Sequence, residues 1–211
     1  MHPKAQPIHR LPRAVVFDLG KVLLEFDYRI AARALAADSD LDADAILEIL
    51  DQSPLLHRYE RGALDSRAFE REVRERTGYR GTTDAFGRAF ADIFTEVAAM
   101  TGVLDELRRI RVPAFLFSNT NELAVRHIQS NFKFFEAFER RVLSYEVGAM
   151  KPDTRAYEAV ESVTGLQGAD LIFLDDRADN IAGAERRGWQ VILHECPDRS
   201  RDELRRRFAL G

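Results

Sequence analysis

The chain has 211 residues, of which 45% are hydrophobic and 31% charged, as in an ordinary globular protein with a sizeable core. The formal net charge of −4 argues against binding to nucleic acid or an anionic membrane surface, and no stretch approaches the roughly 20 apolar residues of a membrane span. The one cysteine, Cys196, excludes an internal disulfide framework and favours a reducing compartment. Residues 1–13 contain three prolines and no apolar run, so we expect no signal peptide or membrane anchor and a cytoplasmic location.

Strands and helices alternate through most of the sequence. Short apolar runs bounded by turn-forming residues predict five buried strands, at residues 15–17, 113–117, 141–144, 171–174 and 190–193. Helical periodicity, or a proline suited to a first helical turn, predicts the helices between them, at residues 103–110, 122–129, 151–163 and 178–187. This alternation predicts an α/β fold: a Rossmann-like, doubly wound parallel sheet with helices on both faces.

The roughly seventy residues after the first strand have a different pattern. With no strand-like alternation, apolar residues recur at helical spacing in 30–37, 41–50, 69–73 and 86–97. Asp42 is predicted to be a helix N-cap, because Leu41 and Ile46 can pack across it. We predict a core domain of residues 1–28 and 99–211 and a small all-helical insert of residues 29–98. The pattern leaves open whether the insert takes part in chemistry.

Polar side chains follow the predicted strands at the point where each strand ends. The residues concerned are Asp18, Ser118, the pair Asp175 and Asp176, and Lys151 at the start of the helix after the third strand. Because all strands of a parallel sheet end at the same edge, we expect these groups to share one crevice. Three neighbouring carboxylates repel one another unless a cation is present, and hard oxygen ligands suit Mg²⁺ with positions left for phosphate oxygens. The pattern indicates phosphoryl transfer.

Each of these residues also has a purely structural interpretation. Ser118 and Asn119 could cap the following helix, and Lys151 could be a solvated surface residue. Asp175 and Asp176 could be an N-cap pair. Four independent placements at strand ends favour the functional interpretation.

The same residues lie in four motifs, at 15–22, 115–120, 151–152 and 173–180. In this order they resemble the motifs of the haloacid dehalogenase superfamily, whose helical-cap members carry an insert between the first two. Asp18-Leu19-Gly20, Glu60-Arg61-Gly62 and the Asp-Asp-x-Ala-Asp-Asn of the fourth motif are similar to the branch of bacterial α-D-glucose-1-phosphate phosphatases. The resemblance covers nearly the whole chain beyond residue 13. It implies a Mg²⁺-dependent phosphatase acting on a small phosphorylated metabolite.

By this resemblance Asp18 is the nucleophile, which forms an aspartyl-phosphate intermediate. Mg²⁺ would be bound by four groups: the side chains of Asp18, Asp175 and Asp176 and the backbone carbonyl of Gly20. Ser118 and the Asn119 backbone N–H would hold phosphate oxygens, and Lys151 would offset negative charge on the phosphoryl group. Asp179 or Asn180 would support the metal site from behind its ligands. Tyr59, Glu60 and Arg61 would form a turn that faces the substrate.

The first motif departs from the family pattern at one position. Most phosphatases of the superfamily have a second aspartate two residues after the nucleophile, as general acid and then base, and this chain has Gly20. General acid–base assistance is worth about 10²- to 10⁴-fold. A sugar 1-phosphate, whose anomeric hydroxyl leaves more easily than an ordinary alcohol, is therefore the expected substrate. Asp27 and His127 are candidate replacements for the acid.

Two other functions remain open. A metal-independent 2-haloacid dehalogenase also uses a lone aspartate, since halide leaves without a proton, but Asp175 and Asp176 favour a metal. A catalytically weak binding protein of the same fold could have lost the acid, but the retention of Asp18 and Lys151 speaks against it.

Overall fold

The computed structural model describes residues 11–210, so most of the N-terminal stretch expected to lack a targeting segment lies outside it. The strands of the described residues are β1 (Ala14–Phe17), β2 (Leu24–Phe26), β3 (Phe94–Glu96), β4 (Ala114–Ser118), β5 (Arg140–Leu143), β6 (Leu171–Asp175) and β7 (Gln190–Leu193). Five of them form a parallel sheet in the order β5-β4-β1-β6-β7, which confirms the predicted sheet. Strands β2 and β3 form a separate antiparallel ribbon.

Helices cover both faces of the sheet. The helices within residues 11–210 are α1 (Tyr28–Ala36), α2 (Ala43–Leu50), α3 (Pro54–Glu60), α4 (Ser66–Thr77), α5 (Thr83–Ala91), α6 (Ala98–Arg109), α7 (Glu122–Asn131), α8 (Ser144–Val147), α9 (Thr154–Thr164), α10 (Ala178–Glu185) and α11 (Pro197–Phe208). Helices α6, α7 and α11 pack on one face, and α9 and α10 on the other. None of these helices is long and apolar enough to span a membrane.

Strand β1 lies at the centre of the sheet and is buried on both sides. Val15 and Phe17 contribute to the hydrophobic cluster on one face, and Ala14 and Val16 to the cluster on the other. This two-sided burial explains why the strand is a continuous apolar run rather than an alternating one. Its neighbours β4 and β6 lie on opposite sides, so the carboxyl end of β1 is the topological switch point where such sheets bind ligands.

Helices α1 to α5 form a body with a hydrophobic core of its own. Its centre is aromatic: the rings of Tyr59 and Phe69 stack with centroids 4.4 Å apart, and Phe90 packs edge-on against Phe69 at 5.0 Å. Asp42 caps α2 as predicted, accepting from the Ala45 N–H at 2.9 Å. The ribbon of β2 and β3 joins this body, hereafter the cap, to the sheet. The exact division at residues 29–98 stays a prediction.

The helix predicted over residues 86–97 is wrong at its C-terminal end. Helix α5 ends at Ala91, and residues 94–96 are strand β3, in which Phe94 pairs with Phe26 of β2. A short apolar run does not by itself distinguish helix from strand, and here the distant partner decides the conformation.

The helix predicted to open at Lys151 begins three residues later. Asp153 is the N-cap of α9, and its side chain accepts from the Arg155 N–H at 3.0 Å. Lys151 and Pro152 therefore lie in the turn before the helix. This placement brings Lys151 to the edge of the sheet instead of onto the helix surface.

Candidate active site

Asp18 directly follows β1 and is held against the neighbouring strand. Its backbone N–H donates to the Leu174 carbonyl at 2.9 Å, and the residue is only 7% exposed. The carboxylate therefore stands at the switch point of the sheet with little water around it.

Lys151 lies between two carboxylates at this point. Its Nζ is 2.7 Å from Asp18 Oδ1 and 2.6 Å from Asp175 Oδ2, and it donates to the Phe117 carbonyl at 2.9 Å. The side chain is 1% exposed. All three ammonium protons thus have acceptors, and the interpretation of Lys151 as a solvated surface residue is wrong.

Asn119 fixes the backbone of Lys151. Its Oδ1 accepts from the Lys151 N–H at 2.8 Å, and its Nδ2 donates to the Lys151 carbonyl at 3.0 Å. The helix cap that sequence alone could assign to Ser118 or Asn119 belongs to Asn121, which accepts from the Ala124 N–H at 3.0 Å. Ser118 is buried at the end of β4, and its hydroxyl makes a long 3.4 Å contact with the Asn119 carbonyl. The clamp on Lys151 has no signature in the sequence.

Asp175 is surrounded by donors. Besides Lys151, it accepts from the Arg177 N–H at 2.9 Å and from Asn180 Nδ2 at 2.9 and 3.0 Å. Of the two residues predicted to support the metal site, Asn180 is buried and takes part in this network, whereas Asp179 is exposed. Asp176 is half-buried beside it.

The carboxylates of Asp18, Asp175 and Asp176 come together as the sequence predicts. One oxygen from each lies within 4.8 Å of the others. Burial raises the pKa of Asp18 to about 7, although the Lys151 ammonium opposes the rise. Burial and the charge of Asp175 also raise the pKa of Asp176. Burial lowers the pKa of Lys151, but the carboxylates of Asp175 and Asp18 outweigh it, so this pKa lies above its usual value.

These residues fit a hard divalent cation. Three carboxylates face one ammonium, which leaves an excess of negative charge, and oxygen donors of this kind suit Mg²⁺. In addition, Asn180 Oδ1 is buried without a hydrogen-bond partner among residues 11–210. An orphaned buried acceptor at the rim of an acidic cluster is the type of group that a hydrated cation satisfies.

Comparison with known proteins decides the family. The haloacid dehalogenase-like hydrolases match residues 12–188 of the sequence. The chain is a haloacid dehalogenase-like hydrolase. A D-ribitol-5-phosphate phosphatase from Bacteroides thetaiotaomicron is 25% identical to it over 198 residues, which are 90% of this chain and 95% of that protein.

Solved structures share the fold of this hydrolase. A HAD family enzyme from Bacteroides thetaiotaomicron, in complex with magnesium and inorganic phosphate, superposes with a TM-score of 0.76 at 22% identity, covering 86% of this chain and 93% of that one. An L-2-haloacid dehalogenase from Xanthobacter autotrophicus gives a TM-score of 0.63 at 21% identity, covering 85% and 76%. The predicted superfamily and its helical cap are thereby confirmed.

A cavity of about 640 Å³ lies between the cap of this hydrolase and the sheet edge, beside the carboxylate cluster. Its lining joins Asp18, Lys151 and Asp176 from the sheet edge with residues of the cap, among them Tyr28, Asp51, His57 and Glu60. Arg61 is exposed and lines an adjoining cavity of about 450 Å³ together with Asn119 and Lys151.

Tyr59 does not face this cavity, so the prediction of a substrate contact is wrong for this residue. It is 1% exposed, and its hydroxyl accepts from the Leu123 N–H at 3.1 Å and contacts Ser66 Oγ at 2.7 Å. It ties the cap to α7 instead.

The two residues predicted to replace the acid missing at position 20 differ in their position relative to the cavity. Asp27 lines the cavity, but it caps α1 and accepts from Arg29 Nε at 2.9 Å, and this hydrogen bond lowers its pKa. A carboxyl group whose pKa is lowered holds its proton less readily at neutral pH and is a poorer general acid. His127 lines neither cavity: its Nε2 lies 3.6 Å from Asp92, and its ring packs against Phe94. The prediction of an acid at His127 is wrong.

The space beside Gly20 is filled by an aromatic ring. A Cβ at this position would lie 2.8 Å from Phe26 Cε1 and 3.4 Å from Cδ1. Phe26 therefore stands where the second aspartate of the family would begin. The sequence gives no sign of this, because the contact depends on how β2 leaves the sheet.

Proposed function

We propose that this hydrolase is a Mg²⁺-dependent phosphatase that cleaves small sugar or polyol monophosphates through an aspartyl-phosphate on Asp18. The observation that carries the proposal is a cluster of three carboxylates with one oxygen from each within 4.8 Å of the others. Two of them, Asp18 and Asp175, pair with the buried Lys151 ammonium, and Asp18 and Asp176 line a cavity between the sheet edge and the cap. The full-length relative named a ribitol-5-phosphate phosphatase supports the substrate class.

The metal would be held by Asp18, Asp176 and the backbone carbonyl of Gly20. Asp175, whose oxygens already accept from Lys151, Asn180 and a backbone N–H, would contribute its charge and fix the ammonium. When bound, Mg²⁺ supplies positive charge against the phosphate oxygens and lets a buried anion approach phosphorus.

Asp18 performs the two chemical steps. Its carboxylate oxygen forms a bond to phosphorus as the ester oxygen–phosphorus bond breaks, and the departing oxygen takes the electron pair and a proton. Water then attacks the same phosphorus, which releases phosphate and restores the carboxylate. Lys151 is positioned beside Asp18 for these steps, because Asn119 holds its backbone and three acceptors bind its Nζ. Ser118 and the Asn119 N–H are the proposed contacts of the phosphate oxygens, and Arg61 the proposed contact at the cavity mouth.

A sugar 1-phosphate is the substrate that least needs a general acid at position 20. Gly20 donates no proton, and an anomeric oxygen departs more readily than a primary alkoxide. We therefore retain sugar 1-phosphates as the substrates least dependent on an acid.

Dehalogenation is the second candidate, because a dehalogenase shares the fold. It is less well supported, since a 2-haloacid brings its own carboxylate into a cavity that is already lined by the carboxylates of Asp18 and Asp176. A haloacid hydrolysed at the same rate with and without chelator would favour it.

Phosphate release from a panel of sugar, polyol and nucleotide monophosphates, with Mg²⁺ and with chelator, tests the proposal. Turnover is expected only with Mg²⁺ and is expected to vanish in Asp18→Asn, which keeps the size of the side chain. Absence of turnover on every ester, despite measurable Mg²⁺ binding, would instead identify a binding protein of this fold.

A further inference from the structure

The cavity contains a second acid–base candidate on the cap. Four carboxylic acids line the cavity with Asp18: Asp27, Asp51, Glu60 and Asp176. Asp176 belongs to the proposed metal site, and Asp27 is kept ionised by Arg29. Asp51 is exposed, whereas Glu60 is half-buried at the end of α3. Of the two acids that the helical cap brings to this cavity, Asp51 and Glu60, Glu60 is thus the more shielded from water.

The backbone on both sides of Glu60 is fastened to the sheet domain. The Glu60 carbonyl accepts from the Ser144 hydroxyl at 2.6 Å. Ser144 Oγ in turn accepts from the N–H of Thr120 at 2.9 Å, and Thr120 follows Ser118 and Asn119 in the chain. On one side, the Tyr59 hydroxyl accepts from the Leu123 N–H. These contacts hold Glu60 above the phosphate-binding loop of the proposed site.

Gly62 completes the attachment on the other side. Its φ is +73°, and an added Cβ would lie 2.2 Å from the Tyr145 carbonyl oxygen, so only glycine allows the cap to approach this closely. The Glu-Arg-Gly segment of the sequence is therefore a docking turn that delivers one carboxyl group to the cavity.

We propose that Glu60 is the general acid and base of this enzyme, in place of the side chain that Gly20 lacks. The inference rests on the proposed phosphatase function. In the first step the Glu60 carboxyl gives its proton to the departing ester oxygen as the oxygen–phosphorus bond breaks. In the second, the Glu60 carboxylate takes a proton from the water that attacks the aspartyl-phosphate, so the group returns to its starting state.

The protonation of Glu60 agrees with this role. Burial, aided by the charge of Asp51, raises the pKa of Glu60 to about 7, so a large fraction carries a proton at neutral pH. Other ionisable groups line the same cavity: Lys21, Tyr28, Arg29, His57 and Arg177. An acid whose pKa lies near the working pH is well matched to donate and then accept a proton.

Glu60→Gln tests the role by comparing two leaving groups. With an alkyl ester such as a sugar 6-phosphate, which needs protonation, kcat/KM should fall by about 10²-fold or more, in keeping with general acid catalysis. With p-nitrophenyl phosphate, whose leaving group needs no proton, the loss should be only a small fraction of that. Glu48→Gln, the same change on the exposed face of α2, should alter neither rate.

The pH profile gives a second readout that a merely structural role would not move. Wild-type activity on the alkyl ester should decline as the pH rises through about 7, where Glu60 loses its proton, and this limb should be absent in Glu60→Gln. Asp51→Asn should shift the limb to lower pH, because it removes a neighbouring negative charge.

Equal losses on both esters in Glu60→Gln, or an unchanged alkyl rate, would overturn the proposal. A selective alkyl loss in Asp27→Asn would overturn it too, by assigning the acid to Asp27. Failure of the phosphatase function itself looks different, since wild-type protein with Mg²⁺ would then release no phosphate from p-nitrophenyl phosphate. The proposal would also be overturned if the enzyme strongly preferred a sugar 1-phosphate to a sugar 6-phosphate and Glu60→Gln left this preference unchanged. The ester oxygen would then depart without help from Glu60.

Discussion

The contact between Gly20 and Phe26 predicts the outcome of restoring the missing aspartate. In Gly20→Asp the new Cβ would lie 2.8 Å from Phe26 Cε1, closer than such atoms approach in folded proteins. The backbone of Gly20 is not in the left-handed region, so the conflict is one of space alone. Phe26 cannot yield freely, because its ring packs against Tyr28 at 5.9 Å and Phe94 at 6.3 Å and lies under the Lys21 ammonium at 4.7 Å.

We therefore expect Gly20→Asp to lower the free energy of unfolding by about 1–3 kcal/mol, the usual cost of overpacking. Phe26→Ala alone should cost about 2 kcal/mol, below the 3–5 of a fully buried phenylalanine because the ring is half-buried. The double variant should be more stable than the sum of the two losses by about 1–3 kcal/mol, since the alanine makes room for the aspartate.

Urea denaturation followed by fluorescence of Trp189, the sole tryptophan and 4% exposed, measures all four proteins. Strict additivity of the two losses would refute the steric account. The double variant in a Glu60→Gln background should also recover part of the alkyl-phosphatase activity, because the family's own acid then has space.

Three further outcomes follow from the contacts of the site. Lys151→Met leaves Asp18 and Asp175 as buried neighbours without their shared cation. Turnover should therefore fall by orders of magnitude, and urea titration of the metal-free protein should show a loss of about 3–5 kcal/mol in the free energy of unfolding. Unchanged turnover would contradict a role for this ammonium. Gly62→Ala places a side chain at φ +73° and against the Tyr145 carbonyl. The change should lower the free energy of unfolding by about 1–3 kcal/mol and reduce kcat, because it displaces Glu60. An unaltered kcat would contradict the docking of this turn. The folded-state pKa values of Asp18 and Glu60 are raised to about 7 from 3.8 and 4.5, so the folded protein binds more protons than the unfolded chain between these limits. The stability of the metal-free protein should therefore fall as the pH rises from about 4 to 7, and calorimetry showing a rise over this range would contradict the burial of these carboxyl groups.

The sheet was predictable from sequence because its signals are local. Each strand is an apolar run, and parallel pairing places Asp18, Asp175 and Asp176 at one edge whatever the details of packing. Lys151 was predictable as a participant, but its three acceptors and the Asn119 clamp were not. They depend on residues that are distant in sequence, from Asp175 at 175 − 151 = 24 positions to Asp18 at 151 − 18 = 133.

The cap was harder to predict because its decisive contacts are distant in sequence. Strand β3 has a helix-like apolar pattern, and only pairing with β2, about seventy residues earlier, makes it a strand. Tyr59 and Glu60 are adjacent in sequence, yet one is buried in the cap core and the other lines the cavity. Helical periodicity alone does not identify which of them faces the sheet. One side of α3 packs in the cap core while its C-terminal end contacts the sheet domain, so neighbouring residues at that end have different surroundings.

Single-turnover chemistry on Asp18 tests the central claim most directly. Enzyme in excess over substrate, with Mg²⁺, would be quenched in acid within the first turnover and digested, and the peptides weighed by mass spectrometry. The account predicts a phosphoryl group on the peptide that contains Asp18, absent with chelator and absent in Asp18→Asn. A phosphoryl group on another residue, or wild-type phosphate release by Asp18→Asn, would contradict it.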